Sequence, residues 1–237
     1  MVRSDGRKRR DQIREIKFRR KFIKSADSSV LASMGNTRVL CVATVEERVP
    51  KFLRGTGSGW ITAQYAMLPR SSPSRIPRES RRGHLKGRTQ EIQRLIGRSL
   101  RQAVDLTAIG ERTILIDCDV IEADGGTRTA AVNGGFVALY SALKKLKLAE
   151  SSVVSMIAAV SLGLIKGKVH LDLDYTEDFA ADADINVVMD EKGGIVEIQG
   201  TAEEAPFSEE QLGAVIKSAR RGIRKIIKAQ KKALKIE

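Results

Sequence analysis

The segment SVLASMGNTRVLCVATVEE, residues 29–47, constrains the fold more than any other. Two β-rich runs flank the turn sequence Gly-Asn-Thr, and a hairpin is the simplest structure that satisfies both. Helical spacing follows: TQEIQRLIGRSLRQAVDL sets Ile92, Leu95, Ile96, Leu100 and Val104 on one face, with Arg94, Arg98 and Arg101 around the others. RTILIDCDVIEA reads as a strand, and AAVNGGFVALYSALKKL as a helix weakened by its two glycines. The short strands VVSMIAAVSLGLI, KVHLDLDY, INVVMDE and GIVEIQGT come next. The last element opens with SEEQ, a capping box in which Ser208 and Gln211 satisfy exposed amides, and turns Leu212, Val215, Ile216 and Ile223 inward. Strand-rich stretches alternating with three helices predict an α+β fold, mixed α and β, with mostly hairpin-type connections. No repeat is visible in the letters, although each half runs strands and then a helix.

A chain of 237 residues, 42% hydrophobic, can bury a sizeable core as one large domain or two small ones. The longest apolar run, VVSMIAAVSLGLI, is shorter than the roughly 20 residues a membrane-spanning helix needs, and MVRSDGRKRRDQ has no secretion signal. The expectation is a cytoplasmic protein with no membrane partner. Cys41 and Cys118 lie in strand-like surroundings, where a buried free thiol is expected. His84 and His170 are far apart and no paired Cys or His spacing exists, so a zinc site is not expected.

The net charge of +13 is unevenly spread. Residues 1–24 hold eleven Lys or Arg against three acids, residues 70–88 seven against one, and residues 217–235 nine against none. Residues 172–210 reverse the sign, with thirteen Asp or Glu against one Lys. A basic body attracts polyanions through counterion release, and RNA is the commonest such partner. For the carboxy-terminal run a second reading stays open, since cations in the last turns of a helix complement its dipole. LPRSSPSRIPRESRRGHLKGR, with three prolines, four serines and seven basic residues, reads as a mobile loop that holds a flexible polyanion or a neighbouring subunit.

Three stretches have the chemistry of a site. EADGGTRTAAVN runs from a strand into a helix, where amides point outward at the positive helix end, glycines permit close approach, and Thr127 and Arg128 donate to phosphate oxygens. A plain turn capped by Thr127 is the other reading. In KGRTQEIQRL, Lys86 and Arg88 stand just before a helix start assigned to a Thr89 cap, a position the dipole disfavours for cations by roughly 0.3 to 1 kcal/mol each. A bound anion would remove that conflict, as would extension of both side chains into water. In YTEDFAADADINVV, Glu177, Asp178, Asp182 and Asp184 crowd a loop. Taken alone it favours a solvated acidic loop; Asp178 with Asp184 could instead serve Mg2+, which needs only one or two carboxylates beside waters and substrate phosphates. No Walker motif is present, and GTGSGW is a weak nucleotide signal.

Read in order, DGR at 5–7, GNTRVLCVATVEERVP, GSGWITAQYAMLPRS, GRTQEIQRLIGRSLR, DCDVIEADGGTRTA and EIQGTAEEAPFS resemble bacterial ribonuclease PH along nearly the whole chain. The resemblance implies a ribonuclease PH-like fold in one catalytic domain, residues 1–237, with two related β/α halves, roughly 1–146 and 147–237. It implies a homo-oligomer, a hexamer built as a trimer of dimers. It also implies a phosphate-dependent 3′-to-5′ exoribonuclease that trims tRNA precursors, with rRNA a further substrate, and releases nucleoside diphosphates reversibly. Arg88, Gly126, Thr127 and Arg128 match the family's orthophosphate site. Asp178 and Asp184 match its acidic pair, which holds Mg2+ and assists proton transfer to the departing 3′ oxygen. Arg70, Arg75, Arg78 and Arg81 match a region associated with RNA and with subunit contacts. A non-catalytic RNA-binding ring subunit of exosome-core type is the alternative. The chain departs from the family at Arg14-Glu15, where Arg-Pro is usual, at Asp27-Ser28 in place of Glu-Gly, and at Phe179, where a serine is usual beside Asp178.

Overall fold

A computed structural model describes residues 3–203 and 206–236; Glu204 and Ala205, within EIQGTAEEAPFS, lie outside the described residues. β2 (Ser28–Met34) and β3 (Thr37–Glu46) form the expected hairpin, running from Ser28 opposite Ala43 to Met34 opposite Thr37. Gly35, at φ +59°, makes the turn. β1 (Ile16–Arg20) lies antiparallel to β2 and was not expected from the sequence; its Ile16, Phe18 and Arg20 are half-buried while Lys17 and Arg19 face water. β4 (Trp60–Met67) and β5 (Thr113–Glu122) complete a five-stranded sheet in the order β1-β2-β3-β5-β4. β4 and β5 are parallel, so the chain between them has to cross over, and α1 (Gly87–Gln102) forms that crossover instead of a hairpin.

After β5 come α2 (Thr127–Lys145), the short α3 (Ala149–Ser152), β6 (Ile157–Ile165), β7 (Lys168–Leu171), α4 (Tyr175–Phe179), β8 (Ala183–Asp190), β9 (Ile195–Ala202) and α5 (Glu209–Leu234). The second sheet is antiparallel throughout, in the order β7-β6-β8-β9. α4 corrects the reading of YTEDF as loop: Asp174 accepts from the Glu177 amide at 2.9 Å, and Glu177 reaches back in a capping box. α5 begins as expected at Ser208, whose hydroxyl accepts from the Gln211 amide. Val215 and Ile223 are buried, whereas Leu212 and Ile216 are only half so. Among the described residues no helix is long and apolar enough to cross a membrane.

α2 is the helix between the two sheets, and every residue from Thr129 to Leu139 is buried. On one side Gly134 meets the first sheet so closely that a Cβ there would lie 2.7 Å from both Ala32 Cβ and Cys41 Sγ. The glycine that weakens the helix in isolation is what allows this contact. On the other side the buried Asn133 side chain accepts from the Ala159 amide at 2.7 Å and donates to the Ala159 carbonyl at 2.9 Å, so it pairs with β6 as a strand would. α5 covers β6 with Ile223, Ile226 and Ile227, and Gln230 donates to the Ile157 carbonyl at 3.1 Å. Each such aliphatic side chain contributes about 1.5–3 kcal/mol on burial. Cys41 and Cys118 are buried free thiols with sulfurs 3.7 Å apart.

The amino-terminal charge is not all surface. Arg3, Arg7 and Arg14 are buried, so three of the eleven cations counted in residues 1–24 do not belong to the basic surface. Arg3 forks onto Glu177 at 2.7 and 2.5 Å and donates to the Leu171 carbonyl at 2.8 Å. Arg14 grips Asp172 with Nη2 at 2.6 Å, and Arg7 approaches the same carboxylate at 3.5 Å. Burial alone would push Asp172 up; the Arg14 charge and hydrogen bonds, with Arg7, outweigh it and hold the carboxylate below its usual range. Part of the acidic island therefore neutralises part of the basic amino terminus inside the protein, where removing either partner would cost about 3–5 kcal/mol.

Candidate active site

The turn Asp124-Gly125-Gly126 hands β5 over to α2, and β3, α4 and Arg14, just before β1, fix its shape. Thr37 on β3 donates to the Gly125 carbonyl at 2.7 Å and accepts from the Asp124 amide at 3.0 Å. The Asp124 carboxylate accepts from the Tyr175 amide of α4 at 3.3 Å, and Arg14 donates to the Asp124 and Gly125 carbonyls. Gly125 and Gly126 both take positive φ, +72° and +65°, and a Cβ on Gly125 would stand 2.6 Å from the Leu173 carbonyl oxygen. Only glycine fits both demands.

Gly126 is the N-cap of α2 and no side chain caps it, so Thr127 is the first helical residue and not a cap. The leading amides of a helix have no intrahelical acceptor. α1 repeats the arrangement: its N-cap is Lys86, again without a side-chain cap, and Thr89 lies inside the first turn, donating to Glu79 at 2.8 Å instead of capping. The first turns of α1 and α2 contain no acid but include Arg88 and Arg128, whereas α5 begins with Glu209 and Glu210. Helix dipoles favour the α5 pattern. The α2 start, with a cation in its place, is suited to an anion brought from outside, whereas at the α1 start Glu79 also accepts from the Lys86 amide at 3.2 Å.

The side chains converge on that place. Arg128 Nη1 lies 3.4 Å from both Glu91 on α1 and Gln199 on β9, so it bridges α1 and the second sheet. The buried Tyr65, near the end of β4, donates its hydroxyl to Thr127 Oγ1 at 2.9 Å. Burial raises the Tyr65 pKa, opposed by that bond and by the charges of Arg88 and Arg128. Asp178, on α4, and Asp184, on β8, are half-buried. Burial raises the pKa of each; the Asp184 charge adds to the rise at Asp178, while Arg88 and Arg128 act on both in the opposite direction. One electrostatic neighbourhood thus contains Arg88, Arg128, Asp178 and Asp184, drawn from α1, α2, α4 and β8.

Arg70 lines a cavity of about 510 Å³ beside Asp124. Arg75, Arg78 and Arg81 are exposed along the connection from β4 to α1, and Arg78 acts on Asp119. Glu177 leaves the expected acidic cluster, because it is buried against Arg3. Phe179 does not fill the site: its ring is 85% exposed. A larger cavity, about 1100 Å³ between the amino-terminal segment, β7 and α5, contains none of the converging residues.

Tyr65, Glu91, Gln199 and Arg14 were not singled out as site residues from the sequence. Each belongs here through a contact with a residue distant in the chain, and no local spacing announces it. Among the described residues no group of three or more His, Cys, Asp or Glu could hold a metal ion. Two carboxylates with raised pKa values are nonetheless an oxygen donor set that fits Mg2+, which completes its shell with water and phosphate.

Two family models match the chain: "3′ exoribonuclease family, domain 1" over residues 12–145 and "3′ exoribonuclease family, domain 2" over residues 155–222. A protein of Corynebacterium kroppenstedtii named ribonuclease PH is 52% identical over 237 residues, 98% of this chain and 93% of that one. Among solved structures, rice Rrp46 superposes with a TM-score of 0.80 at 18% identity, over 98% of this chain and 100% of that one. An Archaeoglobus fulgidus exosome with RNA bound to the active site gives 0.80 at 20% identity, over 95% and 91%. An archaeal exosome core gives 0.76 at 19% identity, over 97% and 90%. At such identities the structural likeness speaks for the fold.

Proposed function

The chain belongs to the 3′ exoribonuclease family, and from that premise we propose which of its residues carry out the family's phosphorolysis. It is a phosphorolytic 3′-to-5′ exoribonuclease and tRNA nucleotidyltransferase that processes tRNA: RNA and orthophosphate give RNA shortened by one nucleotide and a nucleoside diphosphate, reversibly. Orthophosphate sits at the start of α2, on the Gly126, Thr127 and Arg128 amides and the Arg128 guanidinium, with Arg88 facing it from α1. The observation that carries this reading is the pair of uncapped helix starts, each with an arginine and no acid in its first turn, acting on the same two carboxylates.

The attacking phosphate and the RNA phosphodiester are both anionic, so the arginines offset repulsion while the turn fixes the angle of approach. A phosphate oxygen bonds to the terminal phosphorus as the bond to the preceding 3′ oxygen breaks, and a proton must reach that oxygen. Asp178 and Asp184, whose pKa values are raised, are suited to hold that proton. The same pair would hold Mg2+, which when bound supplies charge neutralisation to the phosphoryl oxygens. Arg70, Arg75, Arg78 and Arg81 contact the RNA or a neighbouring subunit. The assembly is a homo-hexamer, a trimer of dimers six times 26.0 kDa, in the cytoplasm.

A short RNA incubated with Mg2+ and orthophosphate should release nucleoside diphosphates. Monophosphates appearing without orthophosphate would indicate a hydrolase, and RNA retained without turnover a non-catalytic ring subunit. Arg128→Ala should lower phosphorolysis about 100- to 1000-fold, the cost of removing one positioned donor, with RNA binding largely kept.

A further inference from the structure

Phe179 is the most exposed large apolar side chain among the described residues, at 85%, and Tyr175, four residues before it on α4, is 57% exposed. Side chains at positions i and i+4 share one helix face. The chain has only six Phe, three Tyr and one Trp, and two of these rings stand open on a five-residue helix outside the core. α4 is also fastened to the site at both ends. Its first amide bonds to Asp124 of the phosphate-seat turn at 3.3 Å, its last turn includes Asp178, and Glu177 anchors it beneath through Arg3.

We propose that Phe179, with Tyr175 beside it, is a base-stacking subsite for the single-stranded 3′ tail of the RNA. This rests on the reading that the tail's terminal phosphodiester is cleaved at Asp178 and Asp184. α4 is about 7.5 Å long at 1.5 Å per residue, so a tail whose terminal phosphate reaches Asp178 passes the exposed rings within a nucleotide or two. Every base has a π face, so an aromatic platform accepts any sequence, as an enzyme that removes one nucleotide after another requires. Arg88 and Arg128 supply the charge complement for the backbone while the rings engage the bases.

The test compares Phe179→Ala and Phe179→Trp, the latter in a Trp60→Phe background so that a single indole reports. Phe179→Ala should raise KM for a single-stranded oligoadenylate tail by about fivefold or more, the low end of what one stacked base contributes. Its kcat and KM for orthophosphate should stay within about twofold, and Phe179→Trp should restore the RNA KM. Indole fluorescence of Phe179→Trp should be quenched by oligoadenylate and not by orthophosphate alone. An unchanged RNA KM in Phe179→Ala, or no quenching, overturns the proposal. So does a fall in assembly mass in Phe179→Ala, which would make the ring a subunit contact. The quenching needs no turnover, so if phosphorolysis failed while quenching persisted, the catalytic reading would fall and the stacking would stand.

Discussion

At the scale of single residues, Asp178 and Asp184 sit between burial, which disfavours their charge, and two arginines, which favour it, and burial prevails. A folded carboxyl with a raised pKa binds its proton more tightly than in the unfolded chain. Stability is therefore lost as pH rises from the usual aspartate value of 3.8 through the raised one. Asp178→Asn should accordingly raise Tm at pH 7 in metal-free buffer while reducing phosphorolysis, and the gain in Tm should vanish as pH falls below about 4. A Tm gain that persists at pH 3 would mean that the amide acts through packing and not through charge. Mg2+ should raise Tm of the wild-type protein and not of Asp178→Asn combined with Asp184→Asn.

At the scale of elements, the turn between β5 and α2 shows what local sequence can and cannot announce. The glycine pair, the strand before it and the helix after it were all legible, as were the β2–β3 hairpin and the Ser208–Gln211 capping box, because each depends on neighbours a few residues away. α4 and β1 were not. In the letters α4 has the character of an acidic loop because Glu177 finds its partner at Arg3, and β1 that of a charge run because its buried face includes an arginine. Helix starts were displaced for a related reason: threonines at 89 and 127 suggested caps, yet their hydroxyls are engaged by Glu79 and Tyr65. The turn itself yields a graded expectation. Gly125→Ala adds a Cβ against backbone, at 2.6 Å from the Leu173 oxygen, whereas Gly126→Ala meets the Arg14 Nη2 and the Ser161 Oγ at 3.1 and 3.3 Å. Both incur left-handed strain, about 1–3 kcal/mol, and Gly125→Ala should be the more destabilising in urea unfolding, because backbone gives less than a side chain.

At the scale of the whole molecule, the +13 charge pointed to a polyanion but could not say which cations face outward. Arg3, Arg7 and Arg14 turn inward to Asp172 and Glu177, and Arg70, Arg75, Arg78 and Arg81, between β4 and α1, remain outside. Replacing Arg75, Arg78 and Arg81 together by alanine should make RNA binding less sensitive to salt, lowering the slope of log K against log salt by about 2 if all three meet phosphates of a single strand. An unchanged slope with a smaller assembly mass would assign them to the subunit contact instead. α2 adds a consequence that reaches beyond catalysis. The helix whose first turn is proposed to hold orthophosphate is also the one wedged between both sheets, so occupancy there would not remain a local event. Orthophosphate should slow deuterium uptake at the buried amides of β6 and mid-α2, and not merely at the turn between β5 and α2.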